Sequence, residues 1–154
     1  MRTFKKVKGA PILNGNNHQL GVITDLTYCL KEGRITGYWV QNRRWWSKEH
    51  VLPLSVVASK DKHCFIVTEN HPFVAKKHSD SRFLHGKHRL IGRAVNQKDG
   101  EMIGIVEDVY FLPDSGKILG YELTEGLFED LKQGFKVVKT KHFAVEDNQT
   151  LLLD

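Results

Sequence analysis

Two aspartates and a run of histidines are the residues of this 154-residue chain whose types and placement could do chemistry. Asp25 and Asp108 stand in matching surroundings 83 residues apart, and two carboxylates in one protein raise acid–base work. Their equivalence argues the other way. A carboxylate that recurs at the same place in two similar segments is explained more simply as a strand residue bonded to nearby backbone or facing water. Seven of the eight histidines lie in residues 1–89, and His71, His78, His85 and His88 stand among Lys76, Lys77, Arg82, Lys87 and Arg89. His85-x-x-His88 could bring two imidazoles together, but a metal site needs further ligands on rigid elements, and the surrounding cations oppose it. The cluster reads instead as a polycation whose charge grows below about pH 6.5. Cys29 and Cys64 lack metal-site spacing and read as reduced packing residues. There is no phosphate loop, nucleophile elbow or zinc-binding cysteine pair. The expectation is a protein that is not an enzyme, with no catalytic residue, no metal and no cofactor.

A second constellation is aromatic and basic. Trp39 aligns with Glu122 at the same shift of 83, and Glu rarely sits fully buried, so Trp39 is expected to point outward from its own unit. Arg43, Arg44, Trp45 and Trp46 follow it, and Trp45 aligns with Phe128 as a core position. An outward Trp among arginines has the composition of a protein-binding hot spot or of a platform for a nucleobase. It would equally fill a seam between two units of the same chain. Trp39, Arg43, Arg44 and Trp46 are therefore the candidate partner-binding residues.

The elements that must position these residues come in two copies. Residues 21–40 read again at 104–123, with Gly21/Gly104, Asp25/Asp108, Gly33/Gly116, Ile35/Ile118, Gly37/Gly120 and Tyr38/Tyr121 identical. Six identities in 20 exceed the roughly one expected from composition. Leu20, Val22, Leu26 and Tyr28, like Ile103, Ile105, Val109 and Phe111, follow the two-residue period of a half-buried strand. Turn sequences Leu30–Gly33 and Pro113–Gly116 come next, then second strands over 34–40 and 117–123, so each unit carries a β-hairpin. Beyond them the shift grows to 86, pairing Leu52 with Val138, Val57 with Phe143 and Phe65–Val67 with Leu151–Leu153. Thr124–Lys132, capped by Thr124, is the one expected helix.

The organisation that follows is a first unit over 1–68, a basic His-rich linker over 69–89 and a second unit over 90–154. Short strands and Gly-containing turns predict an all-β fold of two tandem small antiparallel barrels packed together, with one short helix in the second. Leu20-Gly-Val-Ile-x-Asp followed by Glu-Gly-Arg-Ile-x-Gly-Tyr, the echo of both from Ile103 to Tyr121, and Val51-Leu-Pro-Leu-Ser-Val-Val together resemble the PRC-barrel superfamily. That superfamily includes the cytoplasmic domain of the photosynthetic reaction centre H subunit and the C-terminal domain of the ribosome maturation factor. The resemblance implies a binding or scaffolding module without catalysis.

Charge divides along the same line. Residues 1–89 carry 16 Lys/Arg against 6 Asp/Glu, net +10, and residues 90–154 carry 7 against 12, net −5. Opposite signs can help two units dock, or give one basic face for an anionic partner. The leading expectation is a non-enzymatic adaptor that binds a protein partner. The rival is an RNA- or ribosome-associated module using the basic half, and peripheral membrane contact through Arg2, Lys5, Lys6 and Lys8 is the weakest because the sequence shows no apolar anchor. With no signal-peptide pattern and no apolar run of membrane length, a cytoplasmic location is expected.

Overall fold

The computed structural model describes residues 1–42, 48–68, 81–126, 134, 136–139, 150–152 and, by backbone only, 143–145 and 153. In chain order its elements begin with β1 (Arg2–Thr3), α1 (Phe4–Val7), β2 (Pro11–Leu13), β3 (Gln19–Cys29), β4 (Arg34–Gln41) and β5 (His50–Pro53). A single 3-10 turn at Leu54–Val56 leads into β6 (Val57–Ser59) and β7 (Phe65–Val67). The second half supplies β8 (Ala94–Asn96), β9 (Met102–Phe111), β10 (Ile118–Thr124), β11 (Lys136–Val138), β12 (Phe143–Val145) and β13 (Thr150–Leu153). Both hairpins predicted from the alternating pattern are present, as β3–β4 and β9–β10. The strands aligned at the shift of 86 are present too, as β6/β12 and β7/β13.

The strands form two sheets, with order β5-β4-β3-β2-β7-β6 in the first half and β11-β10-β9-β8-β13-β12 in the second. Position by position the two orders are the same. The expectation of two antiparallel barrels needs correction. In each sheet the last-formed hairpin returns beside the leading strand in the same direction, so β2–β7 and β8–β13 are parallel pairs. Both sheets are therefore mixed, and among the described residues neither hydrogen-bonded path closes into a barrel.

Two glycine pairs explain why they recur. Gly33 and Gly116 end the hairpin turns at φ 59° and 74°, a left-handed conformation that costs glycine least. Gly37 and Gly120 lie where a neighbouring strand passes closely: a Cβ would meet Leu52 O at 2.7 Å in one and Val138 O at 2.8 Å in the other.

One apolar core spans both sheets, from Ile12, Ile23, Tyr38 and Phe65 to Val106, Phe111, Leu123 and Leu151. The halves are also joined through backbone. Arg34 bridges Lys117, with Ile35 N–H donating to Gly116 O and Ile118 N–H to Gly33 O, both at 2.8 Å. Since Gly33/Gly116 and Ile35/Ile118 are equivalent pairs, the bridge is the same contact made twice in opposite senses, as across a local two-fold axis.

The segments that lead into each half are exchanged. β1 pairs with β9 of the other sheet, Thr3 opposite Tyr110, while Arg82 bridges Thr27 on β3. Phe4 and Phe83, one from each leading segment, meet edge to face at 5.1 Å between ring centroids, and both are buried. A four-residue helix such as α1 leaves no periodic signature, and the sequence reading does not contain it. Residues 127–132 of the helix expected over Thr124–Lys132 lie outside the described residues; Thr124 ends β10, and Glu125 and Gly126 after it are not helical.

Candidate functional site

Asp25 is the fixed point of the most polar constellation in the fold. It sits in β3 beside a register shift between Ile23 and Asp25, fully buried, and its Oδ1 accepts from Leu26 N at 2.8 Å. The strap formed by Ser81–His85 crosses over it. Leu84 N donates to Oδ1 at 3.0 Å, and His85 N to Oδ2 at 3.2 Å. Arg82 Nε donates to Oδ2 at 2.8 Å, and His85 Nδ1 stands 3.0 Å from the same oxygen. Arg82 continues outward, one terminal nitrogen donating to Glu49 at 3.0 Å, and Glu49 accepts from Thr24 Oγ1 at 2.8 Å. A buried carboxylate is costly unless paired and hydrogen-bonded, and here five contacts converge on it.

Trp39 lies across the ladder from Asp25, and the Arg82 guanidinium stacks over its ring at 3.9 Å. The expectation of an outward Trp39 is corrected. Its ring does leave its own sheet, but Arg82 covers it, and only 7% remains exposed. Planar guanidinium on indole is a favourable stack, and here both ion pairs hold the guanidinium in place. The seam alternative describes this position better, because Trp39 lies where the strap into the second half crosses the first sheet. Its indole N–H has no acceptor among the described residues. Arg43, Arg44, Trp45 and Trp46 lie outside the described residues.

The histidines are not brought together as ligands. The His85 ring turns to Asp25 and is largely exposed, whereas His88 contributes its carbonyl, which accepts from Tyr28 OH at 2.7 Å. His71 and His78 lie outside the described residues. Among the described residues no group of three His, Cys, Asp or Glu side chains gathers as a metal centre requires. Cys29 and Cys64 are both free thiols. His85 paired with Asp25 is the arrangement that aims an imidazole as a base. Among the described residues, however, no hydroxyl or thiol bonds to its ring, and the Asp25 carboxylate is already held by Arg82. The described part of the linker expected over 69–89 is ordered by pairing: Tyr28 N–H donates to Ser81 O, and Phe83 N–H to Leu26 O.

Asp108 holds the matching place in the second half. Its Oδ1 accepts from Val109 N at 2.8 Å and from Lys5 N at 3.1 Å, so the leading segment of the first half caps it as the strap caps Asp25. Glu122 stands opposite it and accepts from Tyr110 OH at 2.9 Å, a bond that raises the Tyr110 phenol above its usual range. The sequence reading leaves the two aspartates bonded to nearby backbone or facing water; both are buried, and each accepts from the amide of the next residue and from an amide far along the chain. That reading does not identify Arg82 or Glu49 as the companions of Asp25, since neither residue lies in the aligned 20-residue segments.

Residues 85–152 match the PRC-barrel domain. Along most of its length the chain is also similar to a protein of Bacillus subtilis (strain 168), the uncharacterized protein YrrD, at 28% identity over 149 residues. That alignment covers 95% of this chain and 83% of its relative.

Proposed function

We propose that the chain is a tandem PRC-type adaptor, in which residues 1–68 form a module of the same kind as the one matched over 85–152, and that it works by binding a protein partner without catalysis. The observation that carries this reading is the shared strand order of the two sheets, together with capping of Asp25 and Asp108 by the same backbone scheme. The groups that could have done acid–base work are engaged in fastening one half to the other. A chain whose polar interior is used for assembly offers its surface for function. In this reading Trp39 seats the strap and partner contact falls to Arg43, Arg44 and Trp46, while Lys87 and Arg89 after the strap are exposed cations as well.

The two roles separate in one experiment. Tagged wild-type protein, Arg44→Glu and Trp39→Ala are used for affinity purification from native cells, with and without nuclease. Arg44→Glu is expected to lose the partner while its thermal melt is unchanged, and Trp39→Ala to lower the melting temperature. Retention of every partner by Arg44→Glu, or partners that vanish with nuclease, would replace the protein-adaptor reading with another surface or with the RNA-bound alternative.

A further inference from the structure

Asn14-Gly15 is the one place in the sequence where an asparagine precedes a glycine, and it falls in the turn between β2 and β3. The turn is closed by backbone bonds, Asn14 N donating to His18 O at 2.9 Å and Asn17 N to Asn14 O at 3.1 Å, with Asn17 in the left-handed region at φ 61°. The Asn14 side chain folds back over it. Its Oδ1 accepts from Asn16 N at 2.9 Å and from His18 N at 3.0 Å, so two donors draw electrons away from the amide carbon Cγ. Gly15 is exposed, and nothing lies within 4 Å of where a Cβ would stand. Among the described residues its N–H donates to no acceptor. The equivalent turn between β8 and β9 has the same two backbone bonds, Gln97 N to Glu101 O at 2.8 Å and Gly100 N to Gln97 O at 2.9 Å. There Gln97 takes the place of Asn14, and Lys98 that of Gly15. Asp99-Gly100 could close the same ring as an Asn-Gly pair, but the Gly100 N–H is engaged by Gln97 O.

We propose that Asn14 is a self-modifying site, deamidated by the backbone nitrogen of Gly15 with water as the co-reactant. Hydroxide from solvent removes the Gly15 amide proton, and the freed electron pair forms a bond from that nitrogen to Asn14 Cγ. The carbonyl pair moves onto Oδ1, where the Asn16 and His18 amides meet the developing charge. When that pair returns, the Cγ–Nδ2 bond breaks, and Nδ2 takes a proton from water and leaves as ammonia. A five-membered imide remains. Water then opens it at either carbonyl: cleavage at Cγ leaves aspartate at position 14, and cleavage at the main-chain carbonyl leaves isoaspartate, with the chain running through Cβ and Cγ. One water enters and one ammonia leaves. Gly15 favours closure because it has no Cβ to crowd the ring and its backbone turns freely. Gln97, at the equivalent place, would need a larger ring and a nitrogen on a residue that has a Cβ. Either product brings a new negative charge into the turn, where Asn17 Oδ1 already holds Lys60 Nζ. Aspartate can keep both amide contacts and strengthens them by its charge. Isoaspartate lengthens the main chain by one carbon inside a turn closed by hydrogen bonds, and so loosens the β2–β3 hairpin. The inference does not rest on the adaptor reading.

Timed incubation of the full folded chain in mildly alkaline buffer tests it, with the chain unfolded in urea alongside, each followed by digestion in acid and tandem mass spectrometry. Exchange of NH for O at Asn14 is expected to accumulate in the folded chain ahead of any change at Asn16, Asn17, Asn42 or Asn96, as a mixture of aspartate and isoaspartate, while Asp99 stays unisomerised. Gly15→Ala should slow it by about tenfold or more. Its thermal melt should be unchanged, since Gly15 is not left-handed and the added methyl meets nothing. The proposal is overturned if Asn14 stays intact in the folded chain while it converts in urea, if another asparagine reacts first, or if Gly15→Ala converts as fast as wild type. Equal melts of the fresh and isoaspartate forms would overturn the loosening of β2–β3.

Discussion

Asp25 and Asp108 occupy the same place in two sheets of the same strand order, yet their surroundings differ in kind. Both accept from the amide of the next residue and from an amide of the leading segment that crosses them. That much is backbone chemistry, and it is common to the halves. Beyond it, Arg82 occupies the strap position where Thr3 stands in the second half, and Trp39 faces Asp25 where Glu122 faces Asp108. The first site is thus a closed ion network, with a guanidinium held between two carboxylates and an indole. Among the described residues the second carboxylate accepts from two amides, with the Lys5 charge nearby and a phenol on its acidic neighbour. The frame fixes where the aspartate goes; its side-chain partners decide how much depends on it.

Substitution of the two aspartates gives the largest expected difference. Asp25→Ala removes one of the two carboxylates that hold the Arg82 guanidinium, which is only 13% exposed, and strands three amides, and should cost about 3–5 kcal/mol. Asp108→Ala strands two amides and, among the described residues, no buried cation, and should cost about 1–3 kcal/mol. Urea unfolding of both variants measures the gap. Equal losses would mean that the Arg82 network adds nothing beyond the shared backbone caps.

A second comparison concerns Tyr38 and Tyr121, which are equivalent residues buried in the common core. Burial pushes both phenols far above their usual range. Asp114 adds to the effect at Tyr38 while Arg2 opposes it, and Tyr28 adds to it at Tyr121. The folded state therefore resists ionising phenols that the unfolded chain ionises near pH 10. Stability from each is complete below that pH. It is then lost by about 1.4 kcal/mol per pH unit as the pH rises toward the folded value. Alkaline denaturation followed by tyrosinate absorbance should show phenolate appearing together with unfolding. Tyr38→Phe should flatten the pH dependence, and phenolate forming ahead of unfolding would show that the two rings are accessible after all.

The hairpins were legible in the sequence because strand periodicity and turn glycines are local signals. Gly37 and Gly120 recur because a neighbouring strand leaves no room for a side chain. The parallel return of β7 beside β2 and of β13 beside β8 was not legible, since local alternation does not state which edge a strand will join. Trp39 was misplaced for a related reason. Its alignment with Glu122 correctly implied a face turned away from its own sheet, but the residue that covers it, Arg82, lies far along the chain. Exchange of the leading segments likewise depends on Phe4 meeting Phe83, a pair that aligns at a shift of 79 and so falls outside the 83 that relates the hairpins.

The smallest expected effect compares two ion pairs made by the leading segments. Lys5 Nζ approaches Glu107 at 2.7 Å, as short as Arg82 Nε to Asp25 at 2.8 Å, but with side chains 49% and 38% exposed. Partial burial lowers the affinity of the Lys5 amine for its proton, and the bond to Glu107 and its charge outweigh this, leaving the amine raised overall. Water screens such a pair, and ordering two flexible side chains offsets most of the attraction, so Lys5→Met should change stability by about 0.5 kcal/mol or less. The Lys5 backbone amide, which caps Asp108, is untouched by the substitution. Melting temperatures of wild type and Lys5→Met in low and high salt check this. A loss comparable to that of Asp108→Ala would place the hold of the leading segment in its side chain, and the two halves would then be fastened by ion pairs alike.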